Sequence, residues 1–166
     1  MFTTEIYSNR RNKLRSKFKN GILLFPGNSE SAYNYKANTY SFRQDSSFLY
    51  FFGLDEPDLL GIIDIDENKD YIFGTDQDIE DVIWSGPQPK LSEKSLAVGI
   101  HNAAPTANLI AFLAEAIQKG RKVHFIYPYR ADTLILLESI LGIHHSSIQK
   151  NVSLELIKAV AELRSV

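Results

Sequence analysis

Apolar and polar positions alternate along this chain in blocks that read as a mixture of helices and strands. Thr3 or Thr4 is placed to cap a first helix running to about Lys19, with Tyr7, Leu14 and Phe18 forming its apolar stripe. Asn20-Gly21 stops it, and Ile22-Leu23-Leu24-Phe25 reads as a buried strand closed by the turn Pro26-Gly27-Asn28. Ser29 to Tyr40 has no clean period and reads as a loop with a short helical turn. The aromatic run Phe48 to Phe52, bounded by Ser47 and Gly53, reads as a largely buried strand. Leu59 to Ile65 and Tyr71 to Phe73 predict an antiparallel hairpin with an acidic, solvated turn at Asp66 to Asp70.

The second half is more helical. Asp76 to Trp84 predicts a short helix with acidic residues in its first turn, ended by the irregular loop Trp84-Ser85-Gly86-Pro87-Gln88-Pro89. Brief helical spacing covers Ser92 to Val98. A longer helix runs from Pro105 to Lys119, with Leu109, Phe112, Leu113, Ala116 and Ile117 on one face and Gly120 as its stop. Val123 to Tyr127 predicts a strand and Ala131 to Leu141 a helix ended by Gly142. Ser153 caps a last helix in which Leu154, Ile157, Val160 and Leu163 keep helical spacing. The pattern as a whole predicts an α/β domain.

Composition narrows the function classes. A length of 166 residues suits one domain with a substantial core, and 44% hydrophobic with 23% charged residues is ordinary for a globular protein. The net charge of -2 gives no global electrostatic case for nucleic acid or a membrane surface. Cysteine is absent, which excludes disulfides and thiol chemistry and leans towards a reducing compartment. The N-terminus lacks a signal peptide's apolar core, and no apolar run approaches the ~20 residues of a membrane span. A cytoplasmic protein is the expectation, with neither nucleic acid nor membrane as partner. Arg10, Arg11, Lys13, Arg15, Lys17 and Lys19 cluster on the first helix, without the interleaved aromatics of a base-stacking surface. They read as a solvated face.

Candidate chemistry is sparse. Arg43 and Asp45 flank Gln44 just before the aromatic run, and either clamp one another locally or face a ligand. Trp84, the single tryptophan, sits on an irregular loop and is either packed in the core or a contact residue. His101, His124, His144 and His145 form no pair at helical metal-binding spacing, and the adjacent His144 and His145 are expected to point in different directions. No Gly-rich phosphate loop and no Gly-x-Ser-x-Gly elbow occurs. The residues give no catalytic constellation and no metal site.

An ordered set of motifs resembles one family. Arg10-Arg11 with Leu14, Leu24-x-Pro26-Gly27-Asn28, and Phe42-Arg43-Gln44-Asp45-Ser46-x-Phe48-x-Tyr50 with Gly53 look like the N-terminal domain of aminopeptidase P. Glu56-Pro57, Trp84-Ser85-Gly86 and Glu162-Leu163-Arg164 continue the match across nearly the whole chain. That family belongs with creatinase and prolidase.

The resemblance implies a ribonuclease-H-like fold: a mixed β-sheet flanked by helices over residues 1–152, with 153–166 starting a linker helix to a C-terminal pita-bread metallopeptidase domain. The parent enzyme removes the N-terminal residue from peptides with proline in second position. Its two metal ions, usually manganese, are held in the C-terminal domain by two Asp, one His and two Glu. This chain then carries no catalytic residue and no cofactor, and cannot hydrolyse peptides alone. Its implied roles are oligomerisation, as a homodimer or homotetramer, and gating of the active-site entrance. Trp84 matches the family's loop tryptophan, and Arg43 and Asp45 would shape the same region. Pro87 and Pro89 depart from the pattern, following where other members often carry a basic residue. Alternatives within the resemblance are a prolidase, a peptide- or histone-binding relative without metal ligands, and, less in keeping with the Arg-Gln-Asp-Ser motif, a creatinase.

Overall fold

The computed structural model describes residues 2–164, apart from the side chains of Asp81 and Ser85. Helix α1 (Thr4–Arg15) leads into strand β1 (Ile22–Pro26). A two-stranded ribbon follows, β2 (Ala32–Tyr35) and β3 (Asn38–Thr39), then helix α2 (Ser46–Phe52) and the hairpin β4 (Leu60–Asp64) and β5 (Lys69–Gly74). Helices α3 (Ile79–Ser85) and α4 (Leu91–Ala97) precede strand β6 (Asn102–Pro105) and helix α5 (Ala107–Gln118). Strand β7 (Val123–His124) and helices α6 (Ala131–Leu141), α7 (His145–Ile148) and α8 (Leu154–Arg164) complete the chain.

The main sheet has five strands in the order β6-β5-β4-β1-β7. Strands β1, β4 and β5 pair antiparallel, while β7 joins β1 and β6 joins β5 in parallel. This is the mixed sheet flanked by helices that the family resemblance implies. Because successive side chains of a strand point to opposite faces, β1 supplies both cores. Leu23 and Phe25 face one side with Tyr7, Leu14, Phe48, Phe51, Phe52, Leu156 and Val160. Ile22 and Leu24 face the other with Leu109, Leu113, Phe125, Leu137 and Ile140. Helices α1, α2, α4 and α8 therefore cover one face, and α5 and α6 the other.

Several local expectations change. The run Phe48–Phe52 is helix, not strand. Asp45 Oδ1 accepts from the backbone N–H of Ser47 and Phe48, each at 2.9 Å, and Gly53 closes the helix at φ 70°. These caps, and the i, i+3, i+4 placement of fully buried Phe48, Phe51 and Phe52, outweigh the strand preference of the aromatics. Phe52 lies against Gly61 of β4, where an added Cβ would meet its ring at 2.4 Å. Ser29 to Tyr40 carries the β2–β3 ribbon rather than a helical turn, with Tyr33 and Tyr40 in an edge contact at 4.9 Å. Helix α1 ends at Arg15 instead of Lys19, and Thr3 at its N-cap makes no side-chain capping bond. Pro105, expected to open a helix, ends strand β6.

The basic face of α1 is not wholly solvated. Arg11 is fully buried and spends every donor group: Nε to Asp70 Oδ2 at 2.8 Å, Nη1 to the Phe51 carbonyl at 2.9 Å, and Nη2 to the Val98 carbonyl at 2.8 Å. Burial pulls its pKa down, against the opposing pull of Asp70. The acidic β4–β5 hairpin is likewise engaged, since Asp64 and Asp66 both bind Arg121 and Asp70 binds Arg11 and Arg15.

Candidate gating loop and its surroundings

Residues 76–91 leave the sheet after β5 and return at α4. The neck is clasped twice: Asp76 Oδ1 accepts from the Leu91 N–H at 2.6 Å, and Gln77 Oε1 from the Gln88 N–H at 2.9 Å. Between the clasps, α3 holds up a tip whose apolar side chains face solvent. Trp84 is 89% exposed, with Ile79 at 80% and Ile83 at 74%. Gly86 ends the helix at φ 76°, its N–H donating to the Val82 carbonyl. Of the two sequence readings of Trp84, core packing is thereby excluded. One short helix thus exposes three large apolar side chains.

Beside the neck lies a cleft of about 950 Å³ whose lining includes Glu30, Glu56, Asp58, Gln77, Gln88 and Lys94. Lys94 pairs with Glu56 at 2.6 Å. The side chains named are carboxylates, amides and one ammonium, groups suited to polar contacts with a ligand.

Arg43 and Asp45 do not form a clamp. Asp45 is committed to the N-terminus of α2, and among the described residues no ion pair joins it to the exposed Arg43. Among the described residues no hydrogen bond or ring contact links either residue to Trp84, so these contacts do not bring the three candidate residues together. The residue that organises the segment is Gln44, which the sequence gives no special weight. It is buried, and its Oε1 accepts from the N–H of Asn28 at 2.7 Å and of Asp45 at 2.9 Å. Its Nε2 donates to the Glu56 carbonyl at 2.6 Å and the Leu54 carbonyl at 3.3 Å. One side chain thus ties together the turn after β1, the entry to α2 and the segment leading to β4. The clue in sequence was an uncharged amide between two charged residues, suited to a buried site where a charge would need a partner.

The histidines also depart from expectation. His144 and His145 do not diverge: their rings lie 4.1 Å apart at 35°, beside Glu138. Glu138, His144 and His145 are the one group of three or more such side chains, among the described residues, with ligand atoms all within 4.8 Å of one another. Two imidazoles and one carboxylate do not match the carboxylate-rich set implied for a pair of manganese ions, so this chain's residues do not fit that centre. No helix among the described residues is long and apolar enough to cross a membrane.

Solved structures share this fold. Aminopeptidase PepP from Pseudomonas aeruginosa is 21% identical with a TM-score of 0.75, the match covering 94% of this chain and 37% of that one. Proline aminopeptidase P II from Yersinia pestis is 22% identical at TM-score 0.71, covering 90% and 35%. Aminopeptidase P from E. coli, in a low-pH form, is 20% identical at 0.69, covering 92% and 36%. The chain spans little more than a third of the length of these relatives. None of the curated proteins matches it significantly. The family model for the N-terminal domain of aminopeptidase P matches residues 7–127, most of the chain, taking in β1, the Phe42–Gly53 motif, the β4–β5 hairpin and the Trp84 tip. The chain belongs to the aminopeptidase P N-terminal domain family.

Proposed function

We propose that this chain is the non-catalytic N-terminal domain of a cytoplasmic Xaa-Pro aminopeptidase, and that its Trp84 tip gates a substrate entrance. Joined to a C-terminal metallopeptidase domain through α8, it assembles as a homodimer or homotetramer. The tip then covers the cleft of a catalytic domain, that of a neighbouring subunit included. Manganese belongs to that other domain. The observation that carries the reading is the exposure of Trp84, at 89%, on a helix held away from its own core. An indole in that position offers a flat apolar wall to the first residues of a peptide and narrows the opening to short or flexible chains. Arg43 and Asp45 enter differently: Arg43 offers an exposed cation, while Asp45 acts through the cap that fixes the loop before α2.

The test is hydrolysis of Xaa-Pro peptides with added manganese, by this chain alone and by the chain joined to the C-terminal domain. The expected result is activity only in the joined protein, with Trp84→Ala changing its KM and its preference for peptide length. Hydrolysis by this chain alone would overturn the non-catalytic assignment, and unchanged kinetics in Trp84→Ala would overturn the gate.

A further inference from the structure

We propose that Glu138, His144 and His145 form a surface site for a single divalent transition-metal ion, with zinc as the best fit. Helix α6 delivers Glu138 from its last turn. Gly142, at φ 65°, then bends the chain back so that the residues opening α7 return to that carboxylate. The histidines flank one another with ring centroids 4.1 Å apart. Two imidazoles and a carboxylate are the borderline nitrogen and oxygen donors zinc prefers, and three protein ligands leave a fourth, tetrahedral position to water.

The site is partly assembled without the ion. Glu138 Oε2 accepts from the His145 backbone N–H at 3.0 Å and contacts His145 Nδ1 at 2.7 Å. A carboxylate oxygen so close to a ring nitrogen requires a proton between them, and that proton holds the place a metal ion would take. Zinc bonds of about 2.0–2.1 Å at tetrahedral angles separate ligand atoms by about 3.4 Å. The Glu138–His145 contact needs to open only slightly, while His144, within the 4.8 Å span of the group, closes in. For Nδ1 to bind the ion its proton must leave: a neutral His145 ring takes up a proton at Nε2 from solvent with no net release, and a protonated ring, which already carries one there, loses one proton to solvent. Ser146, whose Oγ lies 2.8 Å from His144 Nδ1, steadies that ring. The ion would cross-link α6 to α7 and stiffen the turn between them, a structural role independent of peptide hydrolysis.

The probe is zinc chloride, titrated calorimetrically into the tag-free 166-residue chain. One ion per chain is expected. Glu138→Gln, His144→Ala and His145→Ala should each weaken binding by about tenfold or more. His101→Ala, which alters an exposed histidine elsewhere, should leave it unchanged. All three ligand residues lie at the surface, so their replacement should preserve the fold, checked by an unchanged melting curve without zinc. Absence of one-to-one binding would overturn the proposal, and so would binding that survives the ligand substitutions or falls equally with His101→Ala.

Discussion

Arg11 on α1 donates through Nε to Asp70 Oδ2 on β5 at 2.8 Å, joining a helix to the sheet across 59 residues of chain. The guanidinium is wholly buried, and the carboxylate, which also receives Arg15, is nearly so. Removing Asp70 strands a buried charge. Asp70→Ala should therefore cost about 3–5 kcal/mol in urea denaturation. Arg11→Met, which leaves Asp70 partnered by Arg15, should cost less. A cost below about 1 kcal/mol for Asp70→Ala would show that the carbonyls of Phe51 and Val98 suffice to hold the guanidinium.

Asp45 is a helix cap and Arg43 is not its partner. Asp45→Ala should destabilise the chain by about 1 kcal/mol, and Arg43→Ala should stay within about 0.5 kcal/mol. The double substitution should equal the sum of the two, as for residues without a shared interaction. Coupling between them in a double-mutant cycle would restore the clamp.

Trp84 makes little contact with its own domain. In this chain Trp84→Ala should shift stability by less than about 0.5 kcal/mol, read from the urea midpoint. A loss near the ~3–5 kcal/mol of an emptied core tryptophan site would place it inside. A null effect on stability beside a changed KM separates a gate from a packing defect.

His124 gives the fold an acid-sensitive element. Burial, aided by the nearby Lys122 charge and opposed by Glu155, holds its pKa below the ordinary histidine value. It packs edge-on against Phe18 and contacts Ser153 Oγ through Nδ1 at 2.8 Å. The unfolded chain takes up a proton near pH ~6.5 that the folded chain resists, so below that pH the unfolded state binds more protons. This residue's effect is flat above about pH 7.5 and destabilises increasingly as pH falls through about 6.5. Urea midpoints measured across that window should decline, and His124→Leu, though less stable at neutral pH, should decline less steeply. An equal slope in the variant would assign the sensitivity to other groups.

The sequence was most legible where one physical cause dominated. Ile22–Phe25 and the β4–β5 hairpin are short apolar runs between turn residues, and Gly142 stops α6 because it alone readily adopts the left-handed backbone found there. The aromatic run Phe48–Phe52 misled because bulk and apolarity fit a strand, yet Asp45 and Gly53 at its ends already encoded a helix with caps. Arg11 was hidden among its basic neighbours: only Asp70, brought alongside by the sheet, distinguishes it from Arg10 or Lys13. Strand β6, made of Asn102, Ala103, Ala104 and Pro105, has almost no side-chain signal and exists because β5 offers an edge to pair with. The meeting of Glu138 with His144 and His145 depends on the path of a turn, which residue spacing does not specify. Trp84 stands out in the sequence as the single tryptophan, but its exposure is a property of the fold.

The double clasp beneath the Trp84 tip has a consequence for how such a domain diversifies. The hydrogen bonds from Leu91 to Asp76 and from Gln88 to Gln77 close the neck, so the segment above them is anchored at its two ends and makes few demands on the sheet. Changes in the length, charge or bulk of that segment, such as the prolines at Pro87 and Pro89, are insulated from the core beneath. A tip anchored in this way can change its own composition at little cost to the folded body, because the neck carries its join to the sheet.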